Sequence, residues 1–548
     1  MRRFILLALL AITSYAYGQW QYGGNVAGYY SPYTDELAVV NVGDAKTLIV
    51  WDKYNGGDYD IFAQYIDSAG YSYWGTDGMV VYEDDNIKQS YPAAIADGRG
   101  GAYIVWSDWR TQPDSGVALY GQHIDGEGNL LWPSEGQRLT YDTLYNRKTR
   151  IFKDDYGGII MVYFRSSGIG AQRVDTTGRI MWDSAGVNLV TDPYGQWDLH
   201  VVQNSDSEYT ACWIDRRFSF GDSSFYGIDI YMQKFNILGQ TLWADNGIPA
   251  VHYPGDQGYG NNSIDISADG VGGVVVVWCE RRRLAYNMIL FADRFSPEGQ
   301  SLWELNGQAL GNDRVYEARE CQAFIIGENF MFRWGINLNF IVSYLNQTGI
   351  PLGDSVVQLD SMGVINQTNA IMNPDGVFTY CGWTSAAKID TSGILYWPNR
   401  PYSWYYSEGL KVISDGFDGL ISVWLSTGYP QEIKISRIYG NGRVAGDTLT
   451  SIAEPVGVLP TSLKITSNYP NPFNGRTTIE YSLPYQTDVN LIIYNMLGQI
   501  VKSEGLMNLP PGHHSYSLQL SDQASGVYFV RMQTADGFIA TKRIVMLK

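Results

Sequence analysis

The feature that most constrains this 548-residue chain is a repeat. An apolar run ending in Trp, once in Tyr, recurs at Trp51, Trp106, Tyr163, Trp213, Trp278, Trp334, Trp383 and Trp424. Each is followed by a short strand pattern closing on a Gly turn, at 64–70, 122–128, 172–178, 233–239, 293–299, 343–349, 388–393 and 436–442. Leu-Trp often comes next. Eight linked copies, 41 to 65 residues apart, fit propeller blades carrying loop insertions.

Each period reads as four strands. In the second these are 91–96, 102–106, 119–124 and 130–139, joined by Asp/Gly hairpins and interrupted at Gly136. The Trp ending the second strand supplies a large apolar area for packing blade on blade. Ahead of any first strand stands Trp20-x-x-x-Gly24, the fourth-strand pattern of Trp74/Gly78, Trp132/Gly136, Trp182/Gly186, Trp243/Gly247 and Trp303/Gly307. A ring needs such a strand in order to close, and the last blade's own fourth segment, 443–448, lacks Trp. The expectation is an all-β chain: a β-propeller of eight four-stranded blades over 19–455. Seven blades are the alternative, because copies six to eight are the weakest.

Composition agrees. With 41 Tyr, 17 Trp, 60 Gly and only 17% charged residues, the chain favours pleated surfaces and tight turns over helix bundles. Its formal charge of −18 excludes the basic footprint of a nucleic-acid binder. Residues 1–18 read as a signal peptide: Arg2 and Arg3, the apolar run 4–12, then Ala16-Tyr17-Gly18 before cleavage. No later run is long enough for a transmembrane helix, Val274 to Trp278 being the best candidate. Cys212, Cys279, Cys321 and Cys381 are too scattered for a disulfide scaffold and sit in strand-like stretches, as buried free thiols do.

After a linker at 456–466, residues 467–548 change character. Two prolines enforce an extended entry, and six or seven short alternating strands follow, an immunoglobulin-like β-sandwich. Tyr469-Pro470-Asn471-Pro472-Phe473-Asn474 opens this segment. Asn495-Met-Leu-Gly498-Gln499, Ser525-Gly526-Val527-Tyr528 and the terminal basic strand from Lys542 follow in order. On these motifs the segment resembles the type A C-terminal sorting domain of the type IX secretion system of Bacteroidetes and related phyla. The resemblance implies the secretion machinery as a partner and outer-membrane export. It also implies a secreted or cell-surface location reached through the periplasm. The repeat body resembles the propeller cargo of that system.

The best candidate chemistry follows the repeated Trp. Asp108 and Arg110, Asp215 and Arg217, and Glu280 and Arg282 each place an acid two residues after Trp and an Arg two further on. At the end of the second strand these would gather on one rim of a propeller, together with Phe218, Phe220, Phe225 and Tyr226 of a long loop in the fourth period. Arg-carboxylate forks pinning the blades are one reading. A ligand rim is the other, its aromatics stacking on sugars or anchoring a protein. Glycosidase chemistry needs two carboxyls at a defined separation, and nothing selects such a pair. The Asp-x-x-Gly turns at Asp67, Asp125, Asp175 and Asp390 invite calcium only superficially, since hairpin geometry explains them. The five histidines form no metal-binding spacing, so no cofactor is called for. The sequence reading is an exported, non-enzymatic binding propeller for a polysaccharide or protein. The alternatives are an extracellular carbohydrate-active hydrolase or lyase and a structural envelope component.

Overall fold

A computed structural model describes residues 25–438 and 464–547, apart from 31–36, 112–115, 218–227, 258–262, 283–288, 311–317, 353–356, 360–368, 373–377, 390–399, 402–406, 427–430, 535–538 and other positions in ones to threes. The expected signal peptide, Trp20 and segment 443–448 lie outside the described residues. Every regular element among those described is a strand. The chain divides into two compact units, 1–448 and 449–548.

The first unit holds eight antiparallel sheets that follow one another along the chain. Blade 2 is typical, with strands Gln89–Ala96, Ala102–Asp108, Ala118–Ile124 and Gln137–Arg138. In blade 5 the first strand is split into Gly255–Gln257 and Ile264–Ala268, both paired with Val274–Arg282. Blade 8 consists of Ser407–Ser414, Leu420–Ser426 and Glu432–Ile438, and its fourth strand is Asn25–Tyr29 from the other end of the chain. Among the described residues the blades thus number eight.

First strands of neighbouring blades lie against each other, Leu37–Gly43 on Gln89–Ala96 and, at the closure, on Ser407–Ser414. The hydrophobic cores accordingly sit between blades. One joins Ile49, Trp51 and Phe62 of blade 1 to Val423, Ile433 and Ile435 of blade 8. Another joins Cys279 and Leu290 of blade 5 to Cys321 and Phe332 of blade 6. Trp51, Trp106, Trp213 and Trp278 are fully buried in such seams, the role their repetition suggests. Cys212, Cys279 and Cys321 are buried, unbridged thiols.

The fourth strands are shorter than expected. Trp132 to Gly136 form a turn, not a strand, and pairing resumes only at Gln137–Arg138. Gly136 adopts φ 74°, and a Cβ there would lie 2.7 Å from the Trp106 ring. A side chain is thus excluded twice, by conformation and by the indole beneath it.

The second unit is a sandwich of a three-stranded sheet (Lys464–Tyr469, Arg476–Leu483, Gly512–Gln519) and a four-stranded sheet (Ile500–Leu509, Thr487–Asn495, Gly526–Thr534, Ile539–Met546). Ile479, Tyr481, Leu491, Val530 and Ile544 are among the residues filling its core.

Candidate functional site

The loops leaving each second strand share a rim with those entering each first strand, and the predicted acids lie just beneath it. Asp108 is fully buried. It accepts the Trp106 indole N–H at 3.0 Å, the Arg110 backbone N–H at 2.9 Å, and Arg110 Nε and Nη2 at 2.9 and 2.7 Å. Asp215 repeats this with Trp213 at 2.8 Å and Arg217 at 2.8, 3.0 and 2.7 Å. Glu280 accepts from the Trp278 indole at 3.0 Å. The Arg282 backbone pairs with Gly255, while its side chain lies outside the described residues, as do Phe218, Phe220, Phe225 and Tyr226.

Alternation and a turn explain the triplets. Residues i−2 and i of one strand share a face, which brings Trp and acid together where the strand ends. Arg110 and Arg217 lie in the turn that follows and fold back onto the same carboxylate, backbone N–H and guanidinium alike, without help from another blade. The fork is therefore closed within a blade, and only the rings around it cross the seam. The Arg110 guanidinium is sandwiched between Tyr82 of blade 1 (4.2 Å) and Tyr120 of its own blade (4.0 Å). Arg110 Nη1 also bonds the Glu135 carbonyl at 2.7 Å, and Arg217 Nη2 bonds that of Asn246 at 3.0 Å, holding the fourth-strand turn. Burial opposes the charge on Arg110, but Asp108 outweighs it and raises the pKa above the ordinary value.

A second cluster, not foreseen from sequence, lies on the first strands. His200 of Trp197–Ser205 is held between two carboxylates, Nε2 to Asp198 at 3.2 Å and Nδ1 to Asp265 of blade 5 at 3.2 Å. Asp265 also accepts the Ala323 N–H of blade 6 at 3.1 Å, and Arg150 of blade 3 donates to the Leu199 carbonyl at 2.9 Å. Four blades are linked along these strands. Burial works against a charged His200, but the two aspartates raise its pKa from the ordinary value. A register shift between Trp197 and His200 turns Asp198 to φ 53° and aims it back at the ring.

Cations and aromatic rings also meet on this rim. The Lys88 ammonium lies 4.7, 5.8 and 5.4 Å from the rings of Tyr59, Tyr91 and Trp109. Arg138 lies 4.3 Å from Tyr141, and Arg216 lies 4.4 Å from Trp197. The opposite rim is occupied by turns. Oδ1 of Asp67, Asp125 and Asp175 caps backbone N–H groups two and four residues on. The corresponding turn at Asp390 lies outside the described residues. Among the described residues no three His, Cys, Asp or Glu side chains are placed to hold a metal ion.

In the second unit the Tyr469–Asn474 motif clamps the last strand. Phe473 is buried, its N–H bonds Val545 O at 2.9 Å, and its carbonyl accepts Leu547 N–H at 2.9 Å. Asn471 Oδ1 accepts the Val545 N–H at 2.8 Å. Asn474 is exposed, and the side chain of Tyr469, like Pro470 and Pro472, lies outside the described residues. Gly498 takes φ 75° in the turn after Thr487–Asn495. Gly526 begins the strand Gly526–Thr534, Tyr528 O–H donates to Ala524 O at 2.6 Å, and Lys542 pairs with Val530.

The fold and these two rims define an eight-bladed propeller joined to a small β-sandwich. Residues 467–546 match the family model described as the secretion system C-terminal sorting domain. The chain therefore carries the export signal of type IX secretion, and is a secreted or cell-surface-associated cargo. No helix among the described residues is long and apolar enough to cross a membrane. No curated protein matches the chain. Among solved structures it is similar to an ulvan lyase, a polysaccharide lyase (12% identity, 78% of this chain and 96% of that one, TM-score 0.43). It is also similar to PorZ of Porphyromonas gingivalis, a surface component of the type IX secretion system (10%, 95% and 71%, TM-score 0.32). A third is the Penicillium chrysogenum α-L-arabinanase (11%, 76% and 95%, TM-score 0.32).

Proposed function

We infer that the propeller is a non-enzymatic binding module delivered to the cell exterior by its sorting domain. It engages a polysaccharide, or a protein ligand in its place, on the rim where the second strands end. The observation that carries this reading is the state of the rim acids. Asp108 and Asp215 are each fully buried and each accept four hydrogen bonds, two of them from a guanidinium. A carboxylate so engaged has its oxygens committed within the protein and is held away from substrate, whereas a general acid must reach the bond it protonates. Exposed rings elsewhere on this rim, Tyr54 and Tyr141, suit stacking on sugars.

A carbohydrate-active enzyme is the second reading, and His200 between Asp198 and Asp265 is the observation in its favour. The two readings part on one experiment with the full-length chain, a glycan array run beside a reducing-sugar and unsaturated-product release assay. Binding without turnover supports the module. Turnover that disappears in His200→Ala overturns it.

A further inference from the structure

We propose that the cluster of Tyr54, Tyr59, Lys88, Tyr91 and Trp109 is a subsite for an anionic sugar unit, the first of several along an acidic polysaccharide. This rests on the glycan-binding reading above and names its substrate class.

The cluster spans the seam between blades 1 and 2. Tyr54 ends the strand Lys46–Tyr54, Tyr59 begins the strand Tyr59–Ile66, and their rings meet edge to face at 5.5 Å. From blade 2 come Lys88, Tyr91 and Trp109, and the Trp109 N–H bonds the Lys88 carbonyl at 3.1 Å. The ammonium thus stands within 6 Å of three ring centroids. Tyr54 is 47% exposed and the other four are part-buried, so the group borders solvent.

Tyr91 carries the second observation. It adopts φ 57°, a conformation costly for a bulky residue, at the register shift between Ser90 and Ala93. Regular pairing would point this side chain along the sheet face. The bulge aims it at Lys88 and Trp109 instead. Ser90 is fixed across the seam by its hydrogen bond to Asp52, so the strained turn is braced from blade 1.

The chemistry follows from the parts. Aromatic faces pack on the C–H face of a pyranose, and a lysine ammonium pairs with a carboxylate or sulfate on the same ring. The same combination recurs along the rim at Arg138 with Tyr141, which is 52% exposed, and at Arg216 with Trp197. Stations at the seam of blades 1 and 2, at the end of blade 2 and in blade 4 suit a polymer with a repeated anionic unit. The chain's net charge of −18 offers no long-range attraction to a polyanion, so short-range contacts must supply the affinity.

The test is affinity electrophoresis of the full-length chain in gels holding polygalacturonate, dextran sulfate or neutral dextran. The expected result is retardation by an anionic polymer and not by dextran, the two anionic gels distinguishing carboxylate from sulfate. Lys88→Met and the surface variant Tyr54→Ala should each weaken retardation at least about tenfold, with melting temperatures unchanged. Retardation that persists undiminished in both variants overturns this subsite and leaves glycan binding standing elsewhere. Equal retardation by dextran overturns the anionic assignment. No retardation in any gel, with no array glycan bound, removes both readings.

Discussion

One position in each third strand shows how a single residue sets the stability of a blade. Gln64, Gln122, Gln172 and Gln233 are fully buried. Each donates from Nε2 to a carbonyl of the fourth-strand turn, those of Gly75, Pro133, Asp183 and Ala244, at 2.6 to 2.9 Å. Blade 5 has Asp293 there. Its oxygens accept from Ser301 Oγ at 2.6 Å, Arg294 N–H at 2.7 Å and Trp303 N–H at 3.3 Å, but an ionised carboxylate has no donor to offer the turn. The Arg294 guanidinium is committed to Asp269. Burial without a cation pushes the Asp293 pKa up to about 6. A carboxyl raised in the folded state binds protons more tightly there than when unfolded, so stability is highest below the unfolded pKa and falls as pH rises towards 6. A shift of that size corresponds to roughly 3 kcal/mol. Asp293→Asn should therefore raise the melting temperature at pH 7.5 and leave it unchanged near pH 4, as thermal scans across that range would show. An equal effect at both pH values would refute the charge as the cause.

At the scale of the element, the repeated unit is second-strand Trp, acid and Arg, with the fourth-strand turn laid across them. Because Arg110 and Arg217 hold both the acid and the turn, cutting the fork should loosen the blade before it touches any ligand. Asp215→Asn leaves the Arg217 guanidinium buried with a neutral partner, and a loss of about 3–5 kcal/mol is expected in denaturant titration. The conservative Arg217→Lys should recover little, since an ammonium cannot fork to both oxygens. The Trp and acid of this site were legible in the sequence, because alternation places i−2 and i on one face. The return of the Arg is made by the turn beyond the strand, where no periodicity reaches. The fourth strand was misjudged, because Gly136 and its equivalents at positive φ break the pairing that the apolar pattern suggests. His200 and Lys88 were not legible at all. Their partners, Asp265 and Tyr59, are distant in sequence, and the register shifts that turn Asp198 and Tyr91 towards them leave no periodic trace.

For the whole propeller, the decisive feature is that the ring of blades is closed by non-covalent contacts, those of first strands and a shared core and those of one five-residue strand from the N-terminal side. Asn25–Tyr29 pairs with Glu432–Ile438 of blade 8, and three hydrogen bonds tie it to blade 1. Asn25 Nδ2 donates to Gly70 O at 2.9 Å, Gln64 Nε2 to Ala27 O at 3.3 Å, and the Trp51 indole N–H to Tyr29 O at 3.2 Å. Gly28 lies against the same indole, where a Cβ would come within 2.8 Å of the ring. An open array of blades has two exposed terminal faces and unfolds from its ends, whereas a closed one has none, so closure couples all eight. Gly28→Val is expected to separate Trp51 from the strand and reopen the seam that also buries Val423 and Ile435. The melting temperature should fall by several degrees. Hydrogen exchange should rise first in blades 1 and 8, with blades 3 to 5 protected until the main transition. Uniform loss of protection in all blades would mean that closure is not held at this strand.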